Sequence, residues 1–291
     1  MIPVGFDYAR PDSVDAALAL LAEHGEDATI LAGGHSILPV MKLRLAAPEL
    51  VIDIGRLAEL NYVRVEGDGD DSWVAIGAGT RHRTVESSEV VRSEVPLLAA
   101  VARTVGDPQI RHRGTLGGSL AHADPASDLP AAVLALGGVV VLRSPRGERS
   151  VPITAFYTGV FSSVKEPDEL IVEVRVPRTG AGSAGSDGAS AGGSTSVRGW
   201  AYEKFTRRAN DWAIVAVAVV DGRVGLVNMG PTPLRASATE AALAEGASIA
   251  EAAALADQGT DPTADLTATK EYRRHLARVL TARALTTAAG A

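Results

Sequence analysis

The pattern of hydrophobic and polar positions changes its period several times within the first sixty residues. Residues 13–24 predict an amphipathic helix, because apolar positions recur every three or four residues between a capping serine, Ser13, and a stop at Gly25. A strand, a glycine turn, a second helix and a second strand follow over residues 29–32, 33–36, 37–45 and 50–54. This order of elements is typical of an α/β or α+β protein.

The rest of the chain also mixes strands with helices. Apolar or alternating runs predict strands over residues 73–77, 139–142 and 170–176, and helical periods predict helices over 95–105, 129–136 and 270–288. Residues 106–128 are predicted to form one long loop, because glycine and aspartate recur through them. Two apolar runs at 213–220 and 223–228 predict a β-hairpin that turns at Asp221-Gly222.

One segment breaks this pattern. Residues 179–199 contain seven glycines and five serines and almost nothing apolar. Such a composition cannot bury enough surface to offset the entropy of ordering, so we expect a flexible linker or surface loop. The sequence therefore predicts two domains, over residues 1–178 and 200–291.

Composition and charge exclude several classes of protein. The 291 residues include 28 Lys and Arg against 35 Asp and Glu, for a net charge of −7, and no cysteine. The lack of a basic cluster argues against nucleic-acid binding, and the lack of cysteine excludes disulfides and any iron–sulfur cluster held by this chain alone. No apolar run approaches the roughly 20 residues that span a bilayer, and no signal-peptide pattern is present, so we expect a cytoplasmic protein.

Two glycine-rich loops, residues 32–36 and 114–119, are the best candidates for a binding site. Paired glycines let the backbone approach a ligand closely, and exposed N–H groups in such turns bind anions. Together the loops could hold the two phosphates of a dinucleotide. The alternative is that the Gly-Gly pairs only mark tight turns.

Other motifs of known chemistry are missing from the sequence. Neither loop is a Walker A motif or a G-x-G-x-x-G fingerprint, which disfavours a kinase and a Rossmann dehydrogenase. The six histidines lack clear metal-ligand spacing, and there is no G-x-S-x-G elbow. We therefore predict no metal site and no catalytic side chain.

With these motifs in view, the sequence resembles the medium, FAD-binding subunits of molybdenum hydroxylases, and among them those of aerobic carbon monoxide dehydrogenases. The resemblance covers essentially the whole chain, and the two glycine loops together are its most specific part. The matching segments are Phe6-Asp7-Tyr8, residues 31–39, 41–46, 107–111 and 114–118, Asp124-Pro125, Asp128-Leu129-Pro130, Tyr202-Glu203-Lys204 and residues 207–211.

This resemblance implies an α+β fold. Residues 1–178 would form an FAD-binding domain of the vanillyl-alcohol-oxidase (PCMH) type in two subdomains. Residues 200–291 would form a C-terminal domain of a three-stranded antiparallel sheet with helices. FAD would lie between the two domains.

Matching positions imply which residues hold the cofactor. Those implied for the pyrophosphate are Ala32, Gly33, Gly34, His35, Ser36, Thr115, Leu116, Gly117, Gly118 and Ser119. Those implied for the rest of FAD are Asp128, an acidic contact, and Val105, Ile171, Tyr202 and Lys204, close to the flavin ring. A lysine there would stabilise the anionic reduced ring. Ser119 stands where the family usually has asparagine, which shortens the reach of that contact.

The resemblance also implies an activity and partners. This oxidoreductase subunit would take electrons from the [2Fe–2S] clusters of a small subunit and pass them to quinone, dioxygen or NAD. A large subunit would carry the molybdenum cofactor, in a dimer of heterotrimers. The complex would be cytoplasmic or peripheral at the inner face of the membrane.

Three alternatives remain open. The chain could serve a related hydroxylase of nicotine, a purine or an aldehyde, because the large subunit reads the substrate. It could be a self-sufficient oxidase with FAD linked to His35, since some oxidases of this superfold attach FAD in a Gly-Gly-His-Ser loop. It could also be a nucleotide-binding assembly module without redox function.

Overall fold

The computed structural model describes residues 1–69, 72–179, 197 and 199–290. Most of the predicted linker over residues 179–199 lies outside the described residues. Among the described residues, no helix combines the length and the apolar character that a membrane crossing requires.

The N-terminal part is a small parallel sheet with two helices. Its strands lie in the order β1-β3-β2, and both neighbouring pairs are parallel. Ser13 caps the first helix as predicted, with its hydroxyl accepting the N–H of Ala16. The elements are β1 (Asp7–Ala9), α1 (Val14–His24), β2 (Ala28–Leu31), α2 (Ile37–Lys42) and β3 (Leu50–Asp53).

The middle part is a five-stranded antiparallel sheet in the order β4-β5-β10-β6-β7. A large apolar core joins this sheet to the helices over residues 82–136. The elements are β4 (Val63–Glu66), β5 (Trp73–Gly77), α3 (His82–Ser87), α4 (Glu89–Glu94), α5 (Pro96–Arg103), α6 (Pro108–Arg113), α7 (Leu116–His122), α8 (Asp128–Leu136), β6 (Val139–Ser144), β7 (Gly147–Pro152), β8 (Tyr157–Gly159), β9 (Ser162–Ser163) and β10 (Leu170–Pro177).

The C-terminal part is an antiparallel sheet in the order β11-β12-β13-β14, packed against its own helices. Three strands were predicted, and a two-residue fourth strand extends them by pairing Leu234 with Leu226. Asp221 and Gly222 both have positive φ, as the predicted hairpin turn requires. The elements are β11 (Trp200–Phe205), β12 (Val215–Val220), β13 (Arg223–Val227), β14 (Leu234–Arg235), α9 (Ser237–Ala244), α10 (Ile249–Ala253) and α11 (Lys270–Ala289).

The prediction of one long loop over residues 106–128 is wrong, because α6 and α7 lie within it. Asp107 caps α6, accepting the N–H groups of Gln109 and Ile110, and Pro108 takes the first helical position. Thr115 caps α7 in the same way, through the N–H of Gly118. Two of the glycines that suggested a loop, Gly117 and Gly118, lie instead in the first turn of α7, where packing offsets their low helix propensity.

Candidate functional site

The two predicted glycine loops lie against each other, although about eighty residues separate them in the sequence. A Cβ built on Gly33 would lie only 2.5 Å from the carbonyl oxygen of Arg113 and 3.0 Å from the Cα of Gly114. Arg81 reinforces this junction, because its guanidinium donates to the carbonyl oxygens of Arg113 at 2.5 Å and Gly55 at 2.9 Å. The two loops therefore form one surface, and glycine at 33 is what permits their close contact.

The first glycine loop, residues 32–36, connects β2 to α2 and is half-buried except for the exposed His35. Gly34 has φ +83°, a conformation that favours glycine. Among the described residues, none accepts the backbone N–H groups of Gly33, Gly34, His35 or Ser36. A row of successive N–H groups without internal partners is suited to an anion.

The second glycine loop, residues 114–119, differs because its N–H groups are mostly used. The N–H groups of Leu116 and Gly117 donate to the carbonyl oxygens of Thr80 and Ala78, at 3.0 and 2.9 Å. Those of Gly118 and Ser119 donate to the hydroxyl and the carbonyl of Thr115. The expectation of free backbone donors therefore holds for the first loop and not for these four groups. The second loop can instead offer a ligand the side-chain hydroxyls of Thr115 and Ser119.

His82 lies behind the second loop and was not predicted as a site residue. Its Nε2 is 2.9 Å from the carbonyl oxygen of Thr115 and 3.0 Å from the Ser119 hydroxyl oxygen. Burial lowers the pKa of His82 from 6.5 to about 4, so the ring is neutral at neutral pH. The sequence carried no signal for this role, because Thr115 is 33 residues away.

Three of the predicted residues meet in a second polar cluster, between the middle and C-terminal parts. Asp128 begins α8, and its two carboxylate oxygens accept from the Lys204 ammonium at 2.7 Å and from the Tyr202 hydroxyl at 2.6 Å. Lys204 also donates to the carbonyl oxygen of Thr104 at 3.1 Å, a contact that sequence reasoning missed. Alternation along β11 places Tyr202 and Lys204 on one face, which is why both reach Asp128.

The electrostatics of this cluster follow from its burial. The Lys204 and Asp128 side chains are only 9% and 5% exposed. Burial raises the pKa of Asp128, while the charge of Lys204 and the hydrogen bonds from Lys204 and Tyr202 oppose that shift. Burial and the charge of Asp128 raise the pKa of the Tyr202 phenol, which keeps its proton as the donor. The charge of Lys204 is thus partnered within the protein and does not act as a lone cation.

The two apolar residues predicted near the flavin ring share the core of the middle part. Ile171 on β10 is buried in the same cluster against which Val105 and Tyr202 pack. Val105 is held in place by Arg111, whose guanidinium donates to its carbonyl oxygen at 3.2 Å. The structure therefore groups these residues around one core, with the polar cluster at its edge.

The two parts of the chain match two family models. Residues 4–179 match the FAD-binding domain of molybdopterin dehydrogenases, and residues 200–288 match the C-terminal domain of carbon monoxide dehydrogenase flavoproteins. The chain belongs to the FAD-binding family of molybdopterin dehydrogenases. It is thus the FAD subunit of a molybdenum hydroxylase, an oxidoreductase component, as its sequence indicated.

Full-length relatives agree with this membership. The chain is 41% identical to the carbon monoxide dehydrogenase medium chain of Hydrogenophaga pseudoflava, covering 99% of this chain and 98% of that one. It is 37% identical to subunit alpha of the 6-hydroxypseudooxynicotine dehydrogenase complex of Paenarthrobacter nicotinovorans, covering 98% and 95%. The solved structure of the Hydrogenophaga pseudoflava carbon monoxide dehydrogenase that lacks the Mo-pyranopterin moiety superposes with a TM-score of 0.88, at 42% identity, over 99% of this chain and 98% of that chain.

The geometry of this family member fits the cofactor in its family name. The N–H groups of the first loop, which no described residue accepts, are suited to the negative charge of a diphosphate. The close contact at Gly33 leaves no room for a side chain between the two loops. The N–H groups suit an anionic ligand, and the contact at Gly33 places the two loops side by side.

Proposed function

We propose that this chain carries FAD as the electron-transfer subunit of an aerobic carbon monoxide dehydrogenase. It would receive electrons from [2Fe–2S] clusters on a small subunit and pass them to quinone, dioxygen or NAD. A large subunit would hold the molybdenum cofactor, in a dimer of heterotrimers. The single observation that carries FAD binding is the row of free N–H groups in the first loop.

In this proposal the two glycine loops hold the diphosphate and the polar cluster lies near the flavin. Backbone N–H groups of residues 33–36 and hydroxyls of the second loop would donate to the diphosphate. The chemistry that FAD supplies when bound is the exchange between one-electron and two-electron transfer. The division into residues 1–178 and 200–291 is supported by the two separate family matches.

The Asp128, Tyr202 and Lys204 cluster would fix the two domains relative to each other at the cofactor. Because each member is hydrogen-bonded, the cluster stays rigid when charge develops nearby. Val105 and Ile171 would contribute apolar surface that excludes water from the flavin.

Spectroscopy of the chain co-expressed with its partner subunits tests the proposal. We expect a flavin spectrum, release of yellow FAD into the supernatant on acid precipitation, and rapid bleaching of the flavin when carbon monoxide is added to the complex. A complex without flavin, or a chain that never assembles with a large and a small subunit, would contradict it. Yellow colour retained in the acid pellet would instead support the oxidase with His35-linked FAD.

The relative from the 6-hydroxypseudooxynicotine dehydrogenase complex favours a second candidate, the FAD subunit of a related hydroxylase. Nicotine, a purine and an aldehyde are the substrates to offer the same complex. Bleaching by one of them and not by carbon monoxide would move the assignment to that hydroxylase while leaving the role of this chain unchanged.

A further inference from the structure

The hydrogen bonds of His82 carry an inference that rests on the proposed function and deepens it. His82 begins α3 and is only 4% exposed. Its Nε2 contacts two oxygens, the carbonyl of Thr115 and the hydroxyl of Ser119. Both oxygens belong to the second loop, so the imidazole acts on that loop.

The proton on this imidazole can be placed from its neighbours. A carbonyl oxygen only accepts hydrogen bonds, so the contact with Thr115 at 2.9 Å requires a proton on Nε2. Nδ1 has no partner among the described residues and lies against Gly114, where an added Cβ would be 2.7 Å away. A proton on Nδ1 would be a buried donor without an acceptor, which burial strongly disfavours. The neutral ring with its proton on Nε2 is therefore the form that fits.

This tautomer decides the direction of the Ser119 hydrogen bond. Because Nε2 carries the proton, it has no lone pair, and the Ser119 oxygen at 3.0 Å must accept. The hydroxyl proton of Ser119 then remains free, since none of the described residues accepts it. Ser119 is half-exposed on the second loop, beside the junction with Gly33.

We propose that His82 is a positioning residue that fixes Ser119 as a hydrogen-bond donor to the diphosphate of FAD. The Nε2–H of His82, shared between Thr115 and Ser119, donates to the hydroxyl oxygen of Ser119 and fixes that side chain. The hydroxyl proton of Ser119 is then available to donate to the ligand. A hydroxyl held this way donates to an anionic oxygen without first giving up a hydrogen bond within the protein. The orientation of the Ser119 hydroxyl thus depends on His82, which lies in α3.

Binding of two flavins to the full chain tests this inference. FAD contains the diphosphate and riboflavin contains no phosphate, and both affinities can be measured by quenching of flavin fluorescence at pH 7. We expect Ser119→Ala to raise the Kd of FAD about tenfold, the cost of one hydrogen bond to a charged group, and that of riboflavin less than twofold. Ser93→Ala, at an exposed serine of α4, is the matched control and should change neither Kd.

Variants at His82 distinguish positioning from simple packing. His82→Leu should weaken FAD about as much as Ser119→Ala, and the double variant should be no weaker than either single one. His82→Gln keeps an N–H donor in reach of Ser119 and should restore most of the affinity for FAD. A merely structural role would instead weaken both flavins together and give additive losses.

Three results would overturn the inference. They are an unchanged Kd of FAD in Ser119→Ala, equal losses for FAD and riboflavin, and additive losses in the double variant. If the unaltered chain and its complex bind no FAD at all, the proposed function fails together with the inference. Tight binding by the unaltered chain with no effect of Ser119→Ala overturns the role of His82 alone.

Discussion

The two glycine loops have similar sequences but opposite hydrogen bonding. The first loop, residues 32–36, leaves four successive N–H groups without partners among the described residues. In the second loop, residues 114–119, four successive N–H groups are used within the protein. The difference arises because residues 116–119 of the second loop begin α7 and are hydrogen-bonded partly to Ala78 and Thr80, whereas the first loop precedes α2 and exposes His35. A Gly-Gly pair can therefore either leave its backbone N–H groups available to a ligand or use them to fix the loop within the protein.

The largest expected effect is a loss of stability in acid that comes from His82, which lies behind the second loop and has no buried counterpart, among the described residues, behind the first. Between pH 6.5 and 4 the unfolded chain binds a proton on His82 that the folded chain excludes, because the folded pKa is about 4. Stability therefore rises with pH in this window and is lost as pH falls from 6.5 to 4, by about 3 kcal/mol in all. Urea unfolding at pH 7, 5.5 and 4 measures this loss.

A pair of histidine variants isolates that contribution from other acid-sensitive groups. His82→Gln should lose about 3 kcal/mol less than the unaltered chain between pH 7 and pH 4. His275→Gln, which removes an exposed histidine of α11 far from His82, should lose as much as the unaltered chain. Identical pH dependence in His82→Gln and the unaltered chain would show that folding does not lower the pKa of His82.

A smaller effect, and the most direct test of the comparison, comes from adding a methyl group to each loop. A Cβ at Gly117 would lie 2.5 Å from the Cβ of Ala78 in a packed interior, so Gly117→Ala should lower the free energy of unfolding by about 2 kcal/mol. Gly33→Ala meets the carbonyl oxygen of Arg113 at the same distance, and this backbone atom cannot move away at low cost. It should also cost about 2 kcal/mol, and it should weaken FAD at least tenfold, more than Gly117→Ala does.

Urea unfolding and flavin titration on the same preparations give both values. Gly5→Ala is the matched control, because a Cβ there meets nothing within 4 Å. An equal or greater loss of FAD affinity in Gly117→Ala than in Gly33→Ala would break the comparison.

The smallest expected effect concerns the hydroxyls that precede the two helices. Thr115 caps α7 by accepting the N–H of Gly118 at 3.1 Å, so Thr115→Ala should cost about 1 kcal/mol of stability. Ser36 precedes α2 with helical backbone angles and makes no capping bond, so Ser36→Ala should cost less than about 0.5 kcal/mol. Thermal unfolding without FAD measures both, and equal costs would contradict the different roles of the loops.

Local patterns predicted the elements that depend on local interactions. The helix between Ser13 and Gly25, the hairpin at Asp221-Gly222 and the long C-terminal helix all appear where the sequence placed them. Residues 106–128 were misread because glycine lowers helix propensity, and only the packing of Gly117 on Ala78 shows why α7 forms there. The fourth strand of the C-terminal sheet, two residues long, is too short to have its own pattern.

The sequence indicated which residues belong to the candidate site, but not which contacts they make. The resemblance pointed to Asp128, Tyr202 and Lys204, and the structure joins them in one hydrogen-bonded cluster. The resemblance gave no indication that Asp128 partners the charge of Lys204. It also gave none that Lys204 donates to the carbonyl of Thr104, 100 residues earlier in the chain.

The sequence by itself determined the family, the order of most elements and the two loops that a dinucleotide would use. Capping residues, turn glycines and apolar periods act within a few residues, so they can be read along the chain. Only the tertiary structure decided which loop keeps its N–H groups free and which histidine is buried. Those outcomes depend on contacts such as Gly33 with Arg113 and His82 with Ser119. Folding brings these distant segments together, and each donor is then either satisfied within the protein or left for a ligand.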